Sequence, residues 1–328
     1  MDLLVIDSLD ADVMQWLGAR HRIRHAPELA SLPREFRRAL YDVRAAIVPA
    51  SLPVDTETLD FAPVLRAVGR VTAGSENIDL AACERRQVEV VRCLTASARA
   101  EAEFIIGAML SLLRRVPVRG ADGTAVGREL GGTTIGLVGM PPAARTIAQL
   151  LSGFGASVIG YDPALHASDS VWPIWNVRPA GLRELVERAD VMCVQLDYYS
   201  RYHGLLGDRF LPYCKPDQVL VSTGHSALFD ESSLAIALKS RRIAAAWLDS
   251  VEPGALDVDR PLHGIDTLQV TPRVAGTTRE SRQRSGWAVA RRIDELLAAG
   301  APGARGSRDF RSTIPGALAA LGAGSPSR

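Results

Sequence analysis

Apolar residues fall along this chain in short continuous runs separated by stretches with helical spacing. "LLVID" (residues 3–7) leads into a helical pattern from Asp10. The helix-like "REFRRALYD" precedes "AAIVPA", and "LRAVGRVTAG" precedes "NIDLAACERR". Residues 97–116, "SARAEAEFIIGAMLSLLRRV", repeat apolar positions three and four apart and predict one long amphipathic helix. A polar, glycine-rich segment at 119–132 reads as a loop. Beyond it come "TIGLVG", "SVIGYD", "DVMCVQL", "QVLVST", "AAAWLD" and "TLQVTP", with helical stretches between several of them. Continuous apolar runs of this length predict strands buried on both faces, as in a doubly wound parallel sheet.

A length of 328 residues makes two domains the expectation. Apolar residues are 47% of the chain, enough for a sizeable core, and the formal net charge of +1 gives no global field toward nucleic acid or a membrane surface. No run approaches the ~20 apolar residues of a membrane span, and "MDLLVIDSLD" lacks the basic start of a signal peptide. The chain reads as cytoplasmic. Cys83, Cys93, Cys193 and Cys214 have no metal-ligand spacing and read as buried free thiols; no metal site is expected. The Gly-, Ser- and Arg-rich tail from Ala301 reads as frayed.

"GLVGMPPAARTIA" (136–148) carries the first candidate chemistry. An apolar run ends at Gly139 and a helical pattern follows, the context of a G-x-G-x-x-G dinucleotide turn. The three glycine positions hold Gly139, Pro141 and Ala144. Ala144 is small enough for close helix–strand packing, but Pro141 sits where backbone must approach the pyrophosphate. Pro141 and Pro142 also lack N–H donors for an anion. Asp162, at the end of the next apolar run, suits two ribose hydroxyls and would repel a 2′-phosphate. The turn therefore predicts NAD rather than NADP, bound weakly or lost.

The order "GSENID", the long helix, "TTIGLVGMPPAA", "VIGYDP", "KPDQVLVSTGHSALFDESSL", "SRRIAAAWLDSVEP" and "VTPRVAGTTRES" resembles the NAD-dependent D-2-hydroxyacid dehydrogenases. These include the D-3-phosphoglycerate and D-lactate dehydrogenases. The resemblance implies two Rossmann-like α/β domains with a cleft between them. Residues 1–98 plus 290–328 would form the substrate domain and 99–289 the dinucleotide-binding domain. It also implies a homodimer through the nucleotide domains.

Carried over by position, the resemblance assigns Asp249 to the nicotinamide amide, and Gly74 and Ser75 in "TAGSEN" to the substrate carboxylate. Pro49 and Ala50 stand where many members carry Arg-Ser. The catalytic centre departs from the family. His225 occupies the place of the substrate-binding arginine, Arg273 that of the catalytic histidine, and Gly254 that of its orienting glutamate. Glu252 lies two residues short of that place. Two readings stay open. In one, the chain no longer runs the standard hydride transfer and is a pseudoenzyme or a repurposed site. In the other, it is an active 2-hydroxyacid oxidoreductase in which His225 and Arg273 exchange roles around a small anionic molecule. His203 reads as a packing or capping residue, Trp172 and Trp175 as packing, and Tyr198, Tyr199 and Tyr202 as cleft filler or surface.

Overall fold

The computed structural model describes residues 1–72, 74, 77–92 and 94–299, which divide into two compact units. Ser75, Cys93 and the tail from Ala301 lie outside the described residues. One unit is Met1–Thr95 with Gly286–Arg328, the other Ala96–Ser285.

The first unit carries β1 (Leu3–Val5), β2 (Ile23–His25), β3 (Ala45–Ile47), β4 (Ala67–Gly69) and β5 (Glu89–Val91). All pair parallel in the order β2-β1-β3-β4-β5. Its helices are α1 (Ala11–Gly18), α2 (Pro33–Ala39), α3 (Thr56–Asp60) and α4 (Leu80–Arg85). Asp55 and Asp79 start α3 and α4 by accepting the N–H of Thr58 and Ala82, both at 2.8 Å. One face of the sheet, with Leu3, Val5 and Ile47, packs against Val289, Ile293 and Leu297. A Cβ on Gly69 would lie 2.7 Å from Val289 Cγ1, so β4 meets this returning segment without space for a side chain.

The second unit opens on α5 (Leu94–Arg115), the long helix of the sequence pattern. The segment expected to be a plain loop instead folds as a hairpin of β6 (Val118–Arg119) and β7 (Ala125–Val126). Gly123, at φ +82°, makes its turn. Both strands are two residues long and largely exposed, so no apolar alternation marks them.

The main sheet holds β8 (Thr134–Val138), β9 (Ser157–Tyr161), β10 (Arg178–Pro179), β11 (Val191–Val194), β12 (Val219–Ser222), β13 (Ala245–Leu248) and β14 (Leu268–Val270). They are parallel in the order β10-β9-β8-β11-β12-β13-β14. Around them lie α6 (Pro142–Leu151), α7 (Val171–Ile174), α8 (Leu182–Arg188) and α9 (Glu231–Lys239). α10 (Arg279–Ala298) returns the chain to the first unit. β8, β11 and β12 are buried almost throughout, which is why each reads as an unbroken apolar run. Strand order reverses between β8 and β11, and ligands of such sheets bind outside the carboxyl ends of the strands at that reversal. Among the described residues, no helix is long and apolar enough to cross a membrane.

Candidate nucleotide site and catalytic loops

The turn after β8 is built on Gly139, at φ +91°. A Cβ there would sit 2.5 Å from the backbone of Leu196, so only glycine lets this turn lie against the segment leaving β11. Met140 points inward and joins a core with Trp172 and Val177. Pro141 caps α6 and Pro142 opens it, so backbone donors at this helix start begin only at Ala143 and Ala144. Ala144 is fully buried. Arg145 adds a cation to this turn. Its Nε donates to Met140 O at 3.0 Å, and its guanidinium lies 4.4 Å from the ring centre of Trp175.

Asp162 reaches back across the end of β9 to this turn. One carboxylate oxygen accepts the N–H of Met140 and the other that of Ala164, both at 2.8 Å. A carboxylate offers about four acceptor sites, so two remain for a diol. Beside the turn, Gln195 is 5% exposed. Its Nε2 donates to Thr223 Oγ1 at 3.4 Å, while Oε1 has no hydrogen-bond partner among the described residues. A buried acceptor left bare at the reversal point is one that a donor on a bound molecule would satisfy. The residues fit a dinucleotide, with fewer phosphate donors than the glycine fingerprint gives.

The positions that the resemblance assigns to catalysis lie on the loops after β12, β13 and β14. Asp249 follows β13 and is 6% exposed. Its Oδ1 accepts from Thr271 Oγ1 at 2.7 Å and Val274 N at 3.0 Å, and its Oδ2 from Ala275 N at 2.9 Å. Its carbonyl accepts from Arg273 N at 2.6 Å. The residue assigned to the nicotinamide amide therefore also clamps the loop that presents Arg273. That clamp holds Arg273 at φ +56°, a left-handed conformation that non-glycine residues seldom adopt. Arg273 is exposed and shares a depression of about 550 Å³ with Glu252, Gly254 and Thr271.

His225 sits at the start of a short 3₁₀ turn after β12. Its Nδ1 accepts the N–H of Ala227 at 3.1 Å, which places the ring proton on Nε2. Nε2 faces Glu252 Oε1 at 3.6 Å, and the same oxygen accepts from Ser226 Oγ at 3.2 Å. The carboxylate that counting along the chain sets aside is thus the partner of His225. The loop after β13 brings it there, and spacing relative to Arg273 carries no signal of it. Tyr198 stacks on His225, with ring centres 4.6 Å apart and 21° between planes, and its OH lies 3.4 Å from His203 Nδ1. Tyr199 and Tyr202 meet edge to face, each with the Arg201 guanidinium within 5 Å. Trp172 is buried and donates to His166 O at 2.8 Å.

A further acid lies behind these loops. Glu101, on α5, accepts from Ser97 Oγ at 2.6 Å. A Cβ on Gly276 would come within 3.1 Å of Glu101 Oε1. Burial pushes the Glu101 carboxyl above the usual glutamate range, and the charges of Asp249 and Asp197 push it further. On the sequence it is one polar position of a helix. The available signal was its place four residues after Ser97, one turn along the same face.

In the first unit, Gly74 lies in the loop after β4. Beside that loop, Arg70 is 1% exposed and donates to Thr72 Oγ1 at 2.7 Å and to Asn77. Asn77 in turn donates to the carbonyls of Pro49 and Leu52, which ties the loop after β4 to the loop after β3.

Residues 107–275 match the model of the D-isomer specific 2-hydroxyacid dehydrogenase NAD binding domain. The chain is 32% identical over 263 residues to an (S)-sulfolactate dehydrogenase of Chromohalobacter salexigens, covering 78% of this chain and 85% of that one. It is 30% identical over 308 residues to the D-3-phosphoglycerate dehydrogenase of Mycobacterium tuberculosis, covering 90% of this chain and 57% of that longer one. Among solved structures, a glyoxylate reductase from Paecilomyes thermophila superposes with a TM-score of 0.77 at 22% identity, over 92% of this chain and 96% of that one. The chain belongs to the D-isomer-specific 2-hydroxyacid dehydrogenase family.

Proposed function

We propose that this protein binds a nicotinamide dinucleotide, NAD in preference to NADP, and does not reduce 2-keto acids through the family's arginine and histidine positions. One observation carries the reading. The family's acid position is held by Arg273, while at the arginine position His225 takes the Ala227 N–H on Nδ1 and sets Nε2 3.6 Å from Glu252 Oε1. Arg273 does not release its proton in a protein. The site thus lacks an acid where the family places one. Asp162 supports the preference for NAD, and the bare Gln195 Oε1 supports a bound ligand at the strand reversal. The ligand class is a small anionic molecule, of the kind for which the sulfolactate and phosphoglycerate dehydrogenases are named. A bound dinucleotide would supply hydride, and the chain's own residues bind and orient it.

Glu252 favours a second reading, in which the His225–Glu252 pair opens toward a substrate and Arg273 anchors its carboxylate. Calorimetric titration with NAD⁺, NADH and NADPH, paired with a 2-keto acid screen, separates the two. The first reading expects NADH to bind more tightly than NADPH and no turnover that depends on His225. Reduction of a keto acid that His225→Ala abolishes would overturn it.

A further inference from the structure

We propose that Glu101 is the proton donor and acceptor of the nucleotide-binding unit, in place of the histidine that this chain replaces with Arg273. The inference rests on the reading above only in taking the family's acid as lost. Its geometry is independent of that reading.

Glu101 is aimed at the loop that carries the family's histidine position. Gly276, three residues after Arg273, packs so closely on Glu101 that a methyl group there would press on Oε1. The preceding residues of that loop, Val274 and Ala275, are held by Asp249, and Asp249 is near enough to act on Glu101 electrostatically. The acid therefore lies against the loop after β14 that Asp249 clamps.

Its surroundings suit a group that holds a proton. The charges that face it are Asp249, from the loop after β13, and Asp197, from the segment after β11; both are acidic. On its own helix it meets the Ser97 hydroxyl, and the Gly276 loop offers no charge at the contact. A carboxyl desolvated among carboxylates holds its proton to a higher pH than a free glutamate does, the direction a general acid needs. The step balances with a reduced nicotinamide as the reductant. The carbon of a polarised C=O or C=N group accepts hydride, and its heteroatom takes the proton from Glu101. This leaves oxidised nicotinamide and the Glu101 carboxylate, which water reprotonates.

The test needs no turnover. Side-chain carboxyl resonances of ¹³C-glutamate-labelled protein are followed against pH, with and without NADH. One glutamate should titrate above the ordinary value of about 4.3. That signal should vanish in Glu101→Gln. Ser97→Ala, which removes the bond that favours the carboxylate, should move the titration up. Asp197→Asn, which removes a like charge, should move it down. These two variants keep the proposal testable should Glu101→Gln fold poorly. NADH should shift the same titration. Overturning results are that every glutamate titrates in the ordinary range, that the high titration survives Glu101→Gln, or that NADH leaves it unmoved. A His225-dependent keto acid reduction would instead sink the reading in the previous section and leave this titration unaltered.

Discussion

Asp162 accepts the backbone N–H of Met140 at 2.8 Å, so the carboxylate at the end of β9 braces the turn after β8. This brace and the ribose contact expected of Asp162 would use different lone pairs. Asp162→Ala should lower stability in the absence of nucleotide by about 1.5–3 kcal/mol, the usual worth of a hydrogen bond to a charged group. Urea unfolding of the ligand-free protein checks this. A variant as stable as wild type would show that the brace contributes nothing.

Pro141 limits the donors at the start of α6. Pro141→Gly should restore a backbone N–H where the pyrophosphate lies and tighten NAD binding by about tenfold or more, ~1.4 kcal/mol. It should also cost about 0.4–1 kcal/mol of stability through the greater freedom of the unfolded chain. Calorimetry and unfolding on the same variant measure both, and equal or weaker NAD binding would contradict the account of the turn.

Asp249→Ala removes the acceptor for Thr271, Val274 and Ala275 at once. Buried donors left unmade cost about 1–3 kcal/mol each. The 271–275 loop should become sensitive to limited proteolysis, with cleavage at Arg273 by trypsin as the readout. Wild-type resistance to trypsin in the variant would argue against the clamp.

The raised Glu101 carboxyl gives stability a definite dependence on pH. Its contribution is fully present below the unfolded value of about 4.3 and is lost as pH rises through the higher folded value. Glu101→Gln removes that loss. The variant should therefore gain in melting temperature relative to wild type as pH rises from about 4.3 through the higher folded value, and keep that gain above it. A difference that stays constant across that range would contradict the assignment.

Cys83, Cys193 and Cys214 are buried free thiols, and burial pushes the Cys83 thiol up to about 11 and the Cys214 thiol up to about 12. None should react with a thiol reagent at pH 8 until the protein unfolds. Rapid labelling of any of the three in native buffer, located by mass spectrometry, would count against their burial.

The doubly wound architecture was legible because parallel strands buried on both faces leave unbroken apolar runs, as in "TIGLV" and "VMCV". β2, with the sequence "IRH", and β10, with two residues, carry no such run, and tertiary pairing alone makes them strands. At the site, Gly139 and Asp162 were singled out by their places at the ends of apolar runs, and Asp249 by the resemblance. The second roles of Asp162 and Asp249 could not be read this way, because the brace on Met140 and the clamp on Ala275 join segments 22 and 26 residues apart. The pairing of His225 with Glu252 depends likewise on the path of a loop. Glu101 was hidden for another reason: a helical pattern shows which positions are polar but not which of them meets a second loop.

Val289, Ile293 and Leu297 complete the core over β1, β3 and β4, although the whole second unit lies between them in the chain. On the ribosome, the first unit's sheet therefore emerges with the part of one face that α10 covers left bare, while Val13 and Leu17 of α1 already cover the rest. At 5–20 residues per second, the intervening 190 residues (96 to 285) take roughly 10–40 s to synthesise. During that interval the second unit has all of its own sheet and can fold by itself, while the first waits for the last helix. The sheet made before the second unit is completed only after it, and the apolar surface it shows meanwhile is where a chaperone would bind the nascent chain.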